Sequence, residues 1–295
     1  MVSHHQRSER RACALVGLSR DAYRHPPVES SLNAQLRQRI VQLAHERRRW
    51  GYRMIGDALR PEYPGINAKR VYRLYRAEGL SIRKRKKTKR LGVRVPLVPA
   101  QTANQTWSMD FVSDTVAKPG LPARRIKCLT VTDDFTRECV DIAADYGMGG
   151  AYVTRLLDQA ATFSGYPQKV RTDNGPEFTC RAFMTWAQAH GIRHILIEPG
   201  SPTQSAYIES FNGTLRDECL DENWFESLAQ ARQAIATWRR DYNEIRPHSS
   251  CGRVPPATFA PLQDRCKSKL GLQPRPSEDW LVRQRGAGQH RDRHA

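Results

Sequence analysis

The sequence predicts an α/β protein, a mixed β-sheet covered by helices, preceded by an all-helical basic region. Three observations predict it. Lys and Arg outnumber Asp and Glu by 24 to 7 over residues 1–100 but only by 24 to 23 over 101–295. Almost all of the formal charge of +18 therefore belongs to the first third. The apolar pattern changes from helical spacing to strand-like alternation after Pro96 and Pro99, which mark a linker and a boundary near 95–103. Beyond that boundary the elements run β-β-β-α-β-α-β-α, the order of a mixed sheet with helices on it.

The basic third reads as short helices. In RRACALVGLSRDAYRH (10–25) helical apolar spacing stops at Gly17, and Ser19 is placed to cap a second short helix. An amphipathic helix follows from Ser31 to Trp50, then GYRMIGDALR (51–60) and the turn PEYPG. Asn67 caps AKRVYRLYRAEGL, which ends at Gly79. On its wheel Lys69, Arg73 and Arg76 share one face, while Val71, Leu74 and Tyr75 share the opposite one. A helix, a Pro/Gly turn and a helix with a basic stripe suit recognition of a DNA major groove, and Lys69, Arg70, Arg73 and Arg76 are its candidate contacts. In RKRKKTKR (83–90) seven of eight residues are basic. Lys84, Arg85, Lys86 and Lys87 are placed by that density against water or phosphate.

The core begins with two alternating stretches, TWSMDFVSD (106–114) and IKCLTVTDD (126–134), and a third strand, RECVDIAA (137–144). A helix spans Ala151 to Phe163 and is ended by Gly165. QKVRTD (168–173) is a short strand. Pro176 opens a helix to about His190, IRHILIEP (192–199) is a strand, and a helix runs from about Thr203 to Leu220. NWFESLAQARQAIATWRRDYN continues as a helix into a Pro-rich segment. The expected division is 1–28, a small helical segment with a helix-turn-helix look; 29–95, a basic helix-turn-helix-like domain and linker; 100–220, the core; 221–263, its helical extension; and 264–295, a polar loose tail.

Composition excludes some functions. Mean hydropathy is −0.67, and no long uncharged apolar run offers a membrane span. MVSHHQRSERR lacks the apolar stretch of a signal peptide, so a cytoplasmic location is expected. The seven cysteines include no CxxC pair, which favours reduced thiols over disulfides or a zinc site.

Among the core's acids, three can converge. Asp110 lies in the first strand, in polar alternation with Ser108. Asp173 stands at the C-terminal end of the fourth strand, where ligand sites of α/β sheets open. Glu209 follows 36 positions later, on the last core helix, with Gly213 and Arg216 and away from its apolar stripe of Ile208, Phe211 and Leu215. Two strand aspartates and a helix glutamate offer two divalent cations hard oxygen ligands on rigid elements. Asp133, Asp134, Glu177 and Glu198 compete; the first two read as hairpin-turn residues, and Glu177 as a first-turn acid matched to the helix dipole. Taken singly, Asp173 in DNG reads as a turn residue and Glu209 as part of a solvated face.

WSMDFV, VTDDFTRECV, RTDNGPEF, GSPTQSAYIESFNGTLRDECL and YNEIRPHSSCG, in this order over roughly 100–260, resemble the DDE integrase-type transposases of bacterial insertion sequences, OrfB class. GYRMIGDALR…RVYRLYRAEGL is similar to that family's upstream helix-turn-helix segment. The resemblance implies an RNase H-like core that cleaves and joins DNA by direct phosphoryl transfer, with no covalent enzyme–DNA intermediate. It carries Asp110, Asp173 and Glu209 onto the catalytic, metal-binding triad, and Arg216 onto a basic residue that contacts DNA. It implies two Mg²⁺ ions, with Mn²⁺ as a substitute, and as partners the element ends and target DNA. It also implies homo-oligomers on DNA and an upstream OrfA protein, separate or fused by frameshifting. Ser205 stands where relatives often have Asn, and Cys251 where they often have Leu. An RNase H-like nuclease without joining activity and a silent domesticated DNA-binding protein are the alternatives.

Overall fold

The structure, a computed structural model, describes residues 8–25, 30–82, 99–198 and 205–261. The chain divides into two compact units, Met1–Lys86 and Lys87–Ala295. Lys84, Arg85, Lys86 and Lys87, with the rest of the basic run and the tail from 264, lie outside the described residues.

In the first unit α1 (Glu9–Val16) ends on Gly17, whose φ of 68° is the left-handed cap that glycine adopts without strain. Ser19 Oγ accepts from Ala22 N and opens α2 (Arg20–Arg24). Three helices then share one core: α3 (Ser31–Glu46), α4 (Tyr52–Ala58) and α5 (Ala68–Ala77). Leu36, Ile40 and Leu43 pack with Ile55, Leu59, Val71, Leu74 and Tyr75. α3 stops four residues before the expected Trp50. The chain turns at Arg47–Trp50, and the indole is buried from the turn, under the Arg47 guanidinium. Spacing alone does not separate a buried Trp in a last helical turn from one just after it. Asn67 Oδ1 caps α5 by accepting from Lys69 N.

The second unit is built on a five-stranded sheet of order β3-β2-β1-β4-β5. Its strands are β1 (Trp107–Val116), β2 (Arg124–Asp133), β3 (Cys139–Asp145), β4 (Lys169–Thr172) and β5 (Arg193–Leu196). The first three form an antiparallel meander; β1, β4 and β5 are parallel. This is the RNase H-like mixed sheet. On one face lie α6 (Gly150–Ser164), α7 (Pro176–Thr179) and α8 (Arg181–Ala189), packed on Trp107, Met109, Leu129, Val131 and Val170. On the other lie α9 (Ala206–Leu215) and α10 (Leu228–Glu244), packed on Val112, Val116, Ile126 and Cys128. With both faces covered, β1 is buried at Trp107, Ser108, Met109, Val112 and Val116 and exposed only at Thr115, so Ser108 is an interior residue.

Three expected helices differ. The extension helix expected from Asn223 opens only at Leu228, where Ser227 Oγ accepts from Gln230 N. The one opened by Pro176 breaks at Cys180, whose extended backbone starts α8. Gly150 approaches so closely there that a Cβ would lie 2.7 Å from the Glu177 carbonyl oxygen. The helix carrying Glu209 is α-helical only to Leu215; Arg216–Leu220 form a π turn that buries Cys219 and Leu220.

α10 also finishes an edge. β3 is an outer strand, and its backbone would otherwise be open to pairing. Arg232 Nε donates to the Ala144 carbonyl at 2.8 Å and Arg239 Nε to the Cys139 carbonyl at 3.1 Å. The Asn243 amide exchanges two bonds with the Cys139 backbone, at 2.9 and 3.0 Å. Cys251, buried, donates its thiol to the Thr136 carbonyl, a packing role.

Candidate active site

Alternation along β1 sends Trp107, Met109 and Phe111 into the α6–α8 layer, and Ser108, Asp110 and Val112 toward α9 and α10. Asp110 therefore faces the helix that bears Glu209. Its Oδ1 accepts from Phe111 N at 2.7 Å, and its Oδ2 from Asn212 Nδ2 at 2.8 Å. Asn212 Oδ1 in turn accepts from Thr130 Oγ1 on β2, also at 2.8 Å. One amide thus ties α9 to both central strands beside the carboxylate.

Asp173 is the first residue after β4. Its Oδ1 accepts from Gly175 N at 3.0 Å, closing the turn that leads to Pro176 and α7. Glu209 lies in the first turn of α9, and Ser205 Oγ donates to its Oε1 at 2.5 Å. The Ser205 position, where the resemblance departs, is thus in direct contact with Glu209.

Asp110 feels the other two carboxylates. The Asp110 acid is pushed above its ordinary range by burial first, and then by the charges of Asp173 and Glu209, against the two donors from Phe111 N and Asn212. Other acids of the core are neutralised by arginine or lysine. Glu177 Oε1 is 2.5 Å from Lys127 Nζ; burial pushes its acid up, but the Lys127 bond, a backbone N–H and the Lys127 charge together bring it below its ordinary range. Glu218 takes a bidentate grip from Arg246, and Asp145 pairs with Arg232. Among the described residues neither Asp110 nor Asp173 pairs with a lysine or arginine. Nor, among them, are three His, Cys, Asp or Glu side chains drawn together at metal-ligand spacing. All three offer hard oxygen donors, and Asp110 and Asp173 have no lysine or arginine against them among the described residues, which is the chemistry a hard divalent cation answers.

Asp133 behaves as a turn residue, accepting from Phe135 N and Thr136 N. Asp134 stands in the same turn, as expected, but its side chain is buried and ion-paired to Arg171 at 2.5 Å, a partnership across the sheet that a DD before a turn does not reveal. Glu198 closes the described stretch after β5.

On α5, Lys69, Arg73 and Arg76 are exposed opposite the buried Val71, Leu74 and Tyr75. Arg70 is not with them: it is half-buried, and its Nε donates to Asn33 Oδ1 on α3 at 2.9 Å. Arg216 is moored rather than loosely solvated. Its Nη2 donates to the Ser113 carbonyl on β1 at 2.8 Å, and Nη1 lies 3.9 Å from Asp221. Sequence reasoning missed Asn212, although its position three residues after Glu209 puts it on the same helix face. It also missed Arg171, inside the quoted RTDNG, because strand pairing partners are not visible locally.

Two families described as Integrase core domain match residues 100–202 and 190–256, and one described as HTH-like domain matches 31–88. The Insertion element IS476 uncharacterized 39.2 kDa protein of Xanthomonas euvesicatoria is 64% identical, over 88% of this chain and 74% of its own length. The Insertion element IS407 uncharacterized 31.7 kDa protein of Burkholderia multivorans is 53% identical, over 86% and 90%. The Putative transposase InsK for insertion sequence element IS150 of Escherichia coli is 27% identical, over 72% and 78%. The HTH-like unit, the integrase core and these relatives lead to one conclusion: the chain belongs to the integrase-core transposases of bacterial insertion sequences.

Proposed function

We propose that this transposase cuts and joins DNA at Asp110, Asp173 and Glu209, with divalent cations held by these carboxylates. The observation that carries the reading is geometric: Asn212, on the helix that bears Glu209, donates to Asp110 Oδ2 on β1, and Asp173 ends the neighbouring strand β4. Two Mg²⁺ ions, or Mn²⁺, would supply there the charge that attracts phosphate, activates the attacking hydroxyl and stabilises the leaving oxygen. The chain's own part is orientation. Asn212 and Phe111 N hold the Asp110 carboxylate, Gly175 N holds Asp173, and Ser205 holds Glu209. The reaction assigned to the site is direct phosphoryl transfer, with no protein nucleophile.

The exposed Lys69, Arg73 and Arg76 would grip element ends through phosphates, joined by the basic run at Lys84, Arg85, Lys86 and Lys87. Arg70, committed to Asn33, would act by holding α5 in place. Arg216, held on β1, would present its remaining guanidinium edge to a terminal phosphate. Work on DNA ends also places the chain at the nucleoid, as an oligomer bridging two ends, with an OrfA product as a candidate partner.

The test is isosteric. Asp110→Asn, Asp173→Asn and Glu209→Gln should each abolish Mg²⁺-dependent cleavage and strand transfer, while affinity for element-end duplex stays within about twofold, because phosphate contacts elsewhere dominate binding. Full activity in any one of them removes that residue from the site. Cleavage with no joined product when 3′-OH ends are supplied would favour the simple nuclease.

A further inference from the structure

Backbone pairing between β1 and β4 stops short of the carboxylates. The parallel register joins only Trp107 to Val170 and Ser108 to Arg171. Asp110 and Asp173 each lie two residues beyond the last pair, Asp110 on the same side of β1 as Ser108 and Asp173 just past the end of β4. No ladder bond between these two strands sets their separation.

The last pair is instead closed by buried polar side chains. Arg171 Nη1 donates to Asp134 Oδ2 at 2.5 Å and to Ser108 Oγ at 3.3 Å. Ser108 Oγ donates to Asp134 Oδ1 at 2.7 Å. Asp134 N donates to the Thr106 carbonyl at 3.0 Å, so the β2–β3 turn is tied to the start of β1. Exposure is 8% for Arg171, 3% for Asp134 and 1% for Ser108. A buried ion pair of this kind seldom stabilises a fold more than well-packed apolar residues of similar volume, whereas its directional bonds specify one geometry.

We propose that Arg171, Asp134 and Ser108 form a positioning clamp that holds β4 to β1 where the strands part, and so sets the spacing of Asp110 and Asp173. The proposal rests on the reading of those two aspartates as cation ligands. None of the three clamp residues touches substrate; they act through the strand ends that carry the carboxylates.

The double variant Asp134→Leu/Arg171→Met replaces the pair by apolar side chains and leaves no charge stranded. It should melt within a few degrees of the natural chain. Its affinity for Mn²⁺, followed by the loss of the free-ion paramagnetic signal, should fall about tenfold or more, the usual cost of removing an orienting partner behind a metal ligand. The Mg²⁺ concentration giving half-maximal strand transfer should rise in step, with the rate largely recovered at saturating Mg²⁺. Ser108→Ala, which disturbs no charge, should weaken Mn²⁺ binding by a smaller factor of about three, and it decides the matter if the double variant does not fold. Unchanged Mn²⁺ affinity in a folded double variant, or in Ser108→Ala, overturns the clamp. Asp173→Asn is measured alongside. If it too leaves Mn²⁺ affinity unchanged, the carboxylate reading has failed; if it alone abolishes binding, only the clamp has.

Discussion

Asn212→Ala tests whether the Asp110 carboxylate is held as the structure describes. The substitution removes two hydrogen bonds, one donated to Asp110 and one accepted from Thr130. The first is charge-assisted, a class that contributes about 1.5–3 kcal/mol. The second costs little, because the Thr130 hydroxyl keeps the Asp110 carbonyl as an acceptor at 3.0 Å. A net loss of about 2 kcal/mol lowers the melting temperature of a unit of this size by roughly 4–8 °C. Thermal melts at pH 7.5 in EDTA measure it. In an Asp110→Asn background the same substitution breaks only a neutral bond, so its cost should fall by about 1 kcal/mol. Equal costs in both backgrounds would refute the coupling. The amide also favours the ionised carboxylate, so Asn212→Ala should move the acid limb of the strand-transfer pH profile upward. An unmoved limb would refute that part.

Three further predictions follow from named groups. The Asp110 acid is held above its unfolded range, so its contribution to stability is full below that range and is lost as pH rises through the folded value. Asp110→Asn should therefore raise the melting temperature at pH 7 in EDTA, with the gain shrinking toward pH 4; a variant less stable than the natural chain at pH 7 contradicts the burial and repulsion that hold this acid up. Arg73→Ala and Arg76→Ala should each weaken DNA binding about equally for all sequences and reduce the salt slope by about one, read by titration at several ionic strengths. Arg216→Ala should impair transfer of a supplied 3′-OH end about tenfold with Mn²⁺ binding intact; wild-type joining across a range of salt would leave Arg216 only its bond to Ser113.

The strands and most helices were legible because they carry local signals: alternation at Trp107–Val116, the caps at Ser19 and Asn67, and Pro176 at a helix start. Asp110, Asp173 and Glu209 could be singled out by residue type and element, and the resemblance joined them. What no local pattern shows is the side chain that waits on another strand. Asp134 looks like a turn acid until β4 brings Arg171 against it, and Arg171 looks like a strand-edge cation until it is buried. The π turn at Arg216, with Cys219 and Leu220 buried in the α9–α10 core, has no signal in composition either. α10 was readable as a helix, but its duty of closing the β3 edge through Arg232, Arg239 and Asn243 depends on tertiary placement.

On the proposed reading three carboxylates, from β1, the end of β4 and α9, together hold divalent cations. Calorimetric titration of Mn²⁺ into the full chain on an element-end duplex should then show saturable binding of two ions per chain, weakened at least tenfold by each of Asp110→Asn, Asp173→Asn and Glu209→Gln in proteins that remain folded. Mn²⁺ binding of unchanged affinity and stoichiometry in all three variants would contradict it.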